Sequence, residues 1–343
     1  MEFLAQGRLE IRITPADVGK RVSVRRLNDG PEGSGRFTDT VGVLTSWDDG
    51  HLLITRRTGE SVRICEATLV AGKVVPPAPA RRRGPAASYR ELAEVAARAW
   101  QPVESEPLGE WLLRAAGGFT RRANSVLPAG DPGMPLDGAL SAVREWYGAR
   151  GLTPYAQVAT GGKGTQEELS AALEQRGWRR EVTAGLWTGA LGPLGDAGGA
   201  AAGAVRLSRS LDEAGAGWLR RYERFREPRP EVRRVLEAGP SVWFATVPGD
   251  LDEATGDAVP AAIGRCVVDG RWAGFMAVEV APERRRQGLA SAVMGALARR
   301  ALEEGASAAW LQVEEENTGA RALYERLGFT RHHEYHHYRP GGV

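Results

Sequence analysis

The stretch Val278-Glu-Val-Ala-Pro-Glu-Arg-Arg-Arg-Gln-Gly-Leu-Ala290 decides how the second half of this 343-residue chain folds. Phe275, Ala277, Val278 and Val280 supply the apolar positions of a strand that stops at Pro282. Leu289, Val293, Leu297 and Leu302 then recur close to helical spacing, which predicts a helix opening near Gly288. A short basic loop lies between the two. The first N–H groups of a helix have no intrahelical partner, and the helix dipole favours negative charge at that end. A strand–loop–helix corner of this kind can therefore hold an anion. Gly288 lets the backbone approach a ligand closely, and Arg284, Arg285 and Arg286 add positive field. A solvated basic turn with no ligand would use the same residues, and this tract alone leaves both readings standing.

Further on, Leu311-Gln-Val-Glu-Glu-Glu-Asn317-Thr-Gly-Ala-Arg-Ala-Leu-Tyr324-Glu-Arg-Leu-Gly328-Phe329 reads as strand, loop, short helix and strand. Asn317 stands ahead of the helix and Gly328 ends it. The spacing Arg285-x-x-Gly288-x-Ala290 resembles the pyrophosphate-binding loop of the GNAT-type N-acetyltransferase superfamily, and the second tract follows in the order that family shows. The resemblance covers about residues 205–339. It implies an α+β fold, a mixed central sheet flanked by helices, and acetyl-CoA as the acetyl donor.

By the same resemblance, the backbone along Val278, Glu279 and Val280 takes the pantetheine arm of coenzyme A. Arg285 and the amides of Arg286, Gln287, Gly288, Leu289, Ala290 and Ser291 take its pyrophosphate. Tyr324 occupies the position of the family's thiolate-protonating tyrosine, and a phenol with an ordinary pKa of about 10 keeps its proton at neutral pH. Its structural alternative is a helix tyrosine packed on the sheet. Asn317 bonds the cofactor arm or caps its own helix, and the two roles can coexist. The base stays open. Gln312 stands where some relatives carry a glutamate, and an amide cannot take a proton. Glu279 is the preferred candidate, although strand alternation points it away from Val278 and Val280; Glu314 and a water chain are the alternatives.

Composition bounds the rest. The length allows two or three domains, and 42% hydrophobic content supports real cores. A net charge of +2 gives no chain-wide attraction to nucleic acid. Cys65 and Cys266 are far apart in sequence and read as small buried hydrophobes in a reducing compartment. The N-terminus lacks the apolar core of a signal peptide and no run approaches a membrane span, so a cytoplasmic protein with no membrane partner is expected.

Five domains and linkers are expected. Residues 1–75 read as short strands, Leu9–Ile13, Arg21–Arg25, Thr40–Leu44, His51–Thr55 and Ser61–Cys65. They are separated by turns at Asn28-Asp-Gly30, Asp48-Asp-Gly50 and Thr58-Gly59. This predicts a small all-β, SH3-like barrel, either docking a protein or nucleic acid or merely packing. His51 reads as a surface residue of its hairpin. Residues 76–87 form a Pro/Arg-rich linker whose Arg81–Arg83 could add phosphate contact.

Residues 88–190 predict a helix from Tyr89 to Trp100 capped by Ser88, strands at Trp111–Ala115 and Arg122–Val126, and a helix over Leu136–Arg150. A strand at Tyr155–Ala159, a helix at Gln166–Arg176 and a strand from Trp178 follow. This order repeats that of the C-terminal part, but Asp131-Pro-Gly-Met-Pro-Leu136 replaces the basic loop and Leu173 replaces Tyr324. It therefore reads as a degenerate lobe that packs and shapes the substrate groove. Residues 191–204 read as an exposed Ala/Gly connector, and residues 205–343 as the catalytic lobe, with helices over Asp212–Glu227 and Glu231–Glu237 and an acidic loop at Gly249–Val259.

His332-His-Glu-Tyr-His-His-Tyr338 invites a metal reading, because His332 and His336, or His333 and His337, are spaced i, i+4. On a strand that spacing separates ligands by about 13 Å, so no metal is expected and the histidines line the sheet or the acceptor groove. The expected activity is acetyl transfer from acetyl-CoA to a primary amine by direct attack: a protein lysine, a protein N-terminus or a small amine. A non-catalytic acyl-CoA-binding regulator is the alternative, and the sequence leaves the oligomeric state open.

Overall fold

In the N-terminal strands every second side chain is apolar, and Val22, Val24, Leu44, Leu52, Ile54 and Ile64 are all buried together. The computed structural model describes residues 10–27, 37–56, 60–75, 85–197, 199–222, 229–249 and 258–341. The turns expected at 28–30 and 58–59, the arginines 81–83 and most of the acidic loop at 249–259 lie outside them. The chain divides into two units, Met1–Arg83 and Gly84–Val343.

The first unit contains β1 (Arg21–Leu27), β2 (Phe37–Asp48), β3 (His51–Thr55), β4 (Ser61–Cys65) and β5 (Leu69–Val74). They form one antiparallel sheet in the order β4-β3-β2-β1-β5. Asp49 and Gly50 both take positive φ, 47° and 69°, which turns β2 tightly into β3. A Cβ on Gly42 would lie 2.4 Å from the Thr55 carbonyl oxygen, so the close approach of β2 to β3 requires glycine there. Two expectations are corrected. Of the strand expected at Leu9–Ile13, Leu9 lies outside the described residues and residues 10–13 make only an Ile11–Gly72 bridge, while Ile13 drops into the core and β5 takes the place beside β1. Cys65 is exposed, because alternation puts Ile64 inward.

The second unit opens with α1 (Tyr89–Ala99), where the Ser88 hydroxyl accepts from Glu91 N at 3.1 Å. Next come β6 (Glu104–Leu108), β7 (Trp111–Ala115), β8 (Leu127–Pro128), α2 (Leu136–Gly148), β9 (Ala156–Thr160), α3 (Glu167–Gln175) and β10 (Trp178–Ala190). The chain continues through α4 (Leu191–Gly195), β11 (Arg206–Ser208), α5 (Leu211–Ala214), α6 (Ala216–Arg221), α7 (Pro230–Glu237), β12 (Ser241–Val247) and β13 (Ala262–Asp269). It ends with β14 (Trp272–Val280), α8 (Leu289–Glu303), β15 (Ala308–Glu314), α9 (Thr318–Arg326) and β16 (Thr330–Pro340).

One eight-stranded sheet runs through this unit in the order β11-β12-β13-β14-β15-β10-β16-β9. Each half ends in strand, helix, strand: β9-α3-β10 and β15-α9-β16. The final strands are exchanged. β10 pairs antiparallel with β15 (Ala184↔Glu314 to Ala190↔Ala308), and β16 pairs antiparallel with β9 (Glu334↔Thr160 to Tyr338↔Ala156). β10 and β16 pair with each other between them. The two lobes expected at 88–190 and 205–343 therefore complete each other's sheet, and neither edge strand is left open at their junction.

Helices cover both faces. Leu92, Trp100, Trp218, Val235, Ile263, Met276 and Trp310 belong to one core, and Leu194, Cys266, Phe275, Val293, Leu297 and Phe329 to the other. Arg265 on β13 is wholly buried in the first of these layers. Its guanidinium donates to Leu236 O (2.6 Å), Ala238 O (2.7 Å) and Ala99 O (3.0 Å), the carbonyls that α7 and α1 leave unsatisfied at their C-terminal ends. Burial pushes its pKa down to about 10, so it stays charged at neutral pH. One cation thus ties a helix from each half to the central sheet.

Three further expectations change. Residues 191–204 are not an exposed connector, because Leu191 and Leu194 of α4 are fully buried. Residues 122–126 are not a strand: Arg121–Ala123 is a 3-10 turn, held by the Asn124 carboxamide, which accepts from Ala116 N and Gly118 N and donates to Thr120 O. The single helix expected from 212 is broken at Gly215, whose φ of 83° no helix interior adopts; residues 223–227 of that span lie outside the described set. Among the described residues no helix is long and apolar enough to cross a membrane.

The C-terminal histidines lie on β16, where His333, His336 and His337 are buried. His336 is held between Thr160 Oγ1 (2.8 Å) and Thr183 Oγ1 (2.9 Å), which joins β9, β16 and β10. Burial pushes the pKa of His333 and of His336 down to about 4, and that of His337 well below the usual range. These rings are neutral when folded and regain an ordinary pKa near 6.5 when unfolded. The unfolded chain therefore binds more protons as pH falls from about 6.5 toward 4, and stability is lost across that window. The loss approaches about 3 kcal/mol for each of His333 and His336 by the lower end. Thermal melts should show Tm falling steadily between pH 6.5 and 5, before the carboxylates titrate, and the fall should be shallower in His336→Asn. A flat Tm over that range would contradict this account.

Candidate active site

The site begins where two strands part. β14 and β15 run parallel and pair from Trp272↔Ala308 to Phe275↔Leu311, and there the ladder stops. On its other edge β14 stays paired to β13, but the register shifts between Ile263 and Arg265, and Ala277 takes a φ of 52°. An extra residue of this kind kinks a strand and increases its twist. The bulge faces Gly264, where a Cβ would lie 2.5 Å from Val293, so that position must be glycine for α8 to pack. Past the bulge, Ala277 joins one helical layer and Val278 and Val280 the other.

The gap opens into a cavity of about 230 Å³. Met276, Ala277, Val278 and Glu279 line it from β14, and Gln312, Val313 and Glu314 from β15. Asn317, Ala320 and Tyr324 close it on the side of α9. Gln312 Oε1 is buried and has no hydrogen-bond partner among the described residues, an unsatisfied acceptor on a residue that lines the cavity. Asn317 caps α9: its Oδ1 accepts from Ala320 N at 3.1 Å. Tyr324 packs edge-on against Phe329, ring centres 6.0 Å apart. Burial pushes its phenol pKa up to about 12, which keeps the proton on Oη at any physiological pH.

At the end of β14, Pro282–Arg284 makes a 3-10 turn, and Arg286 and Gly288 take left-handed φ values of 63° and 79°. These settings turn the chain into α8, whose first N–H groups, on Leu289, Ala290 and Ser291, have no carbonyl four residues back within the helix. A Cβ on Gly288 would meet nothing within 4 Å, so the space before these amides is open. Arg285, Arg286, Gln287 and Gly288 are exposed. A left-handed turn ahead of free helical amides, with two exposed arginines, is suited to a diphosphate.

The structure therefore sorts the residues expected from the sequence into two groups. Val278, Glu279, Asn317 and Tyr324 line the cavity. Val280, Arg285, Arg286, Gln287, Gly288, Leu289, Ala290 and Ser291 do not; they follow it on the loop and the start of α8. Trp100, Arg122 and Tyr222 line it from outside the stretch in which the site was expected. The first two come from the first half of the chain and reach the cavity by long-range packing, for which no local motif exists. In that first half, the place of the basic loop holds Pro135 at the start of α2, and Asp131 Oδ1 accepts from Gly133 N at 2.8 Å. Among the described residues no group of His, Cys, Asp and Glu is arranged to hold a metal ion.

A protonated phenol, two carboxylates and an unsatisfied carbonyl beside a cleft, next to an anion-binding corner, can position a nucleophile and protonate a leaving group. Comparison with known proteins agrees. Residues 86–338 match the family described as "Probable histone acetyltransferase Rv0428c C-terminal", a span that falls within the second structural unit. The "Probable histone acetyltransferase Rv0428c" of Mycobacterium tuberculosis is 29% identical over 328 residues, covering 92% of this chain and 93% of that protein. An "Uncharacterized N-acetyltransferase YobR" of Bacillus subtilis is 26% identical over 256 residues, 73% of this chain and 97% of its own length. The solved structure of a GCN5-related N-acetyltransferase from Kribbella flavida superposes with a TM-score of 0.51 at 18% identity, covering 74% of this chain and 96% of that one, and shares the fold. The chain belongs to the Rv0428c C-terminal family and is an acetyltransferase of the GNAT type.

Proposed function

We propose that the protein transfers the acetyl group of acetyl-CoA to a primary amine by direct attack in a ternary complex. The observation that carries this reading is the break in the β14–β15 ladder with Tyr324 on its rim. Acetyl-CoA supplies an acetyl group activated as a thioester. The chain's residues do the rest. The amides of Leu289, Ala290 and Ser291, with Arg285 and Arg286, are proposed for the diphosphate, and the backbone of Val278–Val280, beyond the end of the β14–β15 ladder, for the pantetheine arm. Gln312 Oε1 would accept from the incoming amine, and Glu279, on the cavity wall, is the proposed base. Tyr324 holds its proton at Oη for the departing sulfur. The N-terminal sheet is proposed to serve as a docking module for a protein or nucleic acid.

Two substitutions test this. Tyr324→Phe removes the acid and little volume: kcat, followed by thiol release, should fall about 100-fold or more, while coenzyme A affinity by calorimetry changes less than about twofold. An unchanged kcat would remove the acid role. Gly288→Asp puts a carboxylate before the free amides of α8, and the dissociation constant for coenzyme A should rise at least about tenfold, roughly 1.4 kcal/mol. Unaltered affinity would place the diphosphate elsewhere.

A further inference from the structure

The cavity has a second end, built by the first half of the chain. Arg122 sits on the 3-10 turn that Asn124 clamps, and it is only 8% exposed. Its Nε donates to Tyr335 Oη at 2.9 Å, and its guanidinium carbon lies 5.9 Å from the Trp100 ring centre and 5.8 Å from that of Tyr335. No carboxylate among the described residues pairs with it. Its two neighbours in charge are differently placed. Arg114 donates to Ser125 O (2.9 Å), Ser125 Oγ (2.8 Å) and Gln157 Oε1 (3.0 Å). Arg121 is paired with Glu181. Arg122 alone of the three lines the cavity.

A buried charge without a counter-ion is unfavourable, and the π faces of Trp100 and Tyr335 offset only part of that. The field at this end is positive: His337 is held neutral first by its burial and then by Arg122, Arg114 and Arg121. A planar guanidinium held by Nε still offers donors on its terminal nitrogens, in the fork that matches a carboxylate or a phosphate. The same cavity is lined by Glu279 of β14 and Glu314 of β15, carboxylates that suit an ammonium. A protein lysine, a neutral four-carbon stem ending in its amine, would leave Arg122 unmatched.

We propose that Arg122 is the specificity residue for the acceptor, and that the acceptor is a small amine that also carries an oxyanion, a carboxylate or a phosphate. This rests on the acetyl-transfer reading for the identity of the cavity as the acceptor site. It also separates the role of the first half from that of a spent copy: it supplies the arginine that reads the substrate.

The test uses the full chain saturated with coenzyme A, titrated calorimetrically with acetylated products in matched pairs. These are N-acetylglycine, N-acetyl-β-alanine and N-acetyl-4-aminobutanoate against their amides, and N-acetyl-O-phosphoethanolamine against N-acetylethanolamine. At least one oxyanion should bind about tenfold or more tightly than its neutral partner, and the pair that shows it distinguishes carboxylate from phosphate. Arg122→Gln should abolish that preference. Arg122→Lys, which keeps the charge and loses the fork, should retain only part of it. Coenzyme A affinity should stay within about twofold in both, which separates loss of the subsite from loss of the fold. Equal binding within every pair, binding of none of the oxyanions, or a preference that survives Arg122→Gln would overturn the proposal. Should Arg122→Gln fail to fold, undiminished preference in Arg122→Lys overturns it instead. Acetylation of the corresponding amines is scored separately: oxyanion selectivity with no thiol release from acetyl-CoA would refute the transfer reading and leave the subsite standing.

Discussion

The structure depends on two parallel strands that stop bonding. From Trp272 to Phe275, β14 is an ordinary interior strand. Beyond it the bulge at Ala277 swings the chain out, and the ladder with β15 ends. Unpaired backbone groups inside a fold are costly and need a replacement from solvent or ligand. The same displacement makes room for side chains from three separate stretches: Glu279 on one wall, Gln312 and Glu314 on the other, Tyr324 above. A continuous sheet would have no cavity there.

Holding such a gap open requires rigid surroundings, and the exchanged strands supply them. β10 lies against β15 along its length, so the strand that loses β14 on one edge is fully paired on the other. β16, buried through Tyr335, His336, His337 and Tyr338, ties β10 to β9. Arg265 then fixes the C-terminal ends of α1 and α7 to β13, beside the bulge. The consequence for function is direct. α1 brings Trp100, and the turn after β7 brings Arg122, to a cavity whose chemistry otherwise belongs to the C-terminal half.

What was readable in the sequence was what is local. The Gly288 corner, the Asn317 cap and Tyr324 sit within short tracts whose residue types are dictated by backbone geometry, and the structure places them as strand, left-handed turn and helix. Ser88 capping α1 is of the same kind. What failed was what depends on distant contacts. Arg122–Val126 has the alternation of a strand, but Asn124 satisfies three backbone groups of its own loop and the strand loses to it. The Ala/Gly-rich tract after β10 lacks a helical pattern, yet Leu191 and Leu194 find a surface on α8 and are buried. Strand exchange leaves no trace in either half, because both partners have the same alternation. Arg122 was illegible for that reason: its meaning is its burial beside Trp100 and Tyr335, more than 200 residues apart in the second case.

The central claim is that the gap between β14 and β15 is where the thioester lies. A crystal structure of the protein with acetyl-CoA tests it most directly. The account expects the acetyl carbonyl between Met276–Val278 and Gln312–Val313, the sulfur within hydrogen-bonding reach of Tyr324 Oη, and the diphosphate on the amides of Leu289–Ser291. Cofactor density at any other place on the molecule, or a β14–β15 ladder that continues past Phe275–Leu311 and closes the gap, would contradict it.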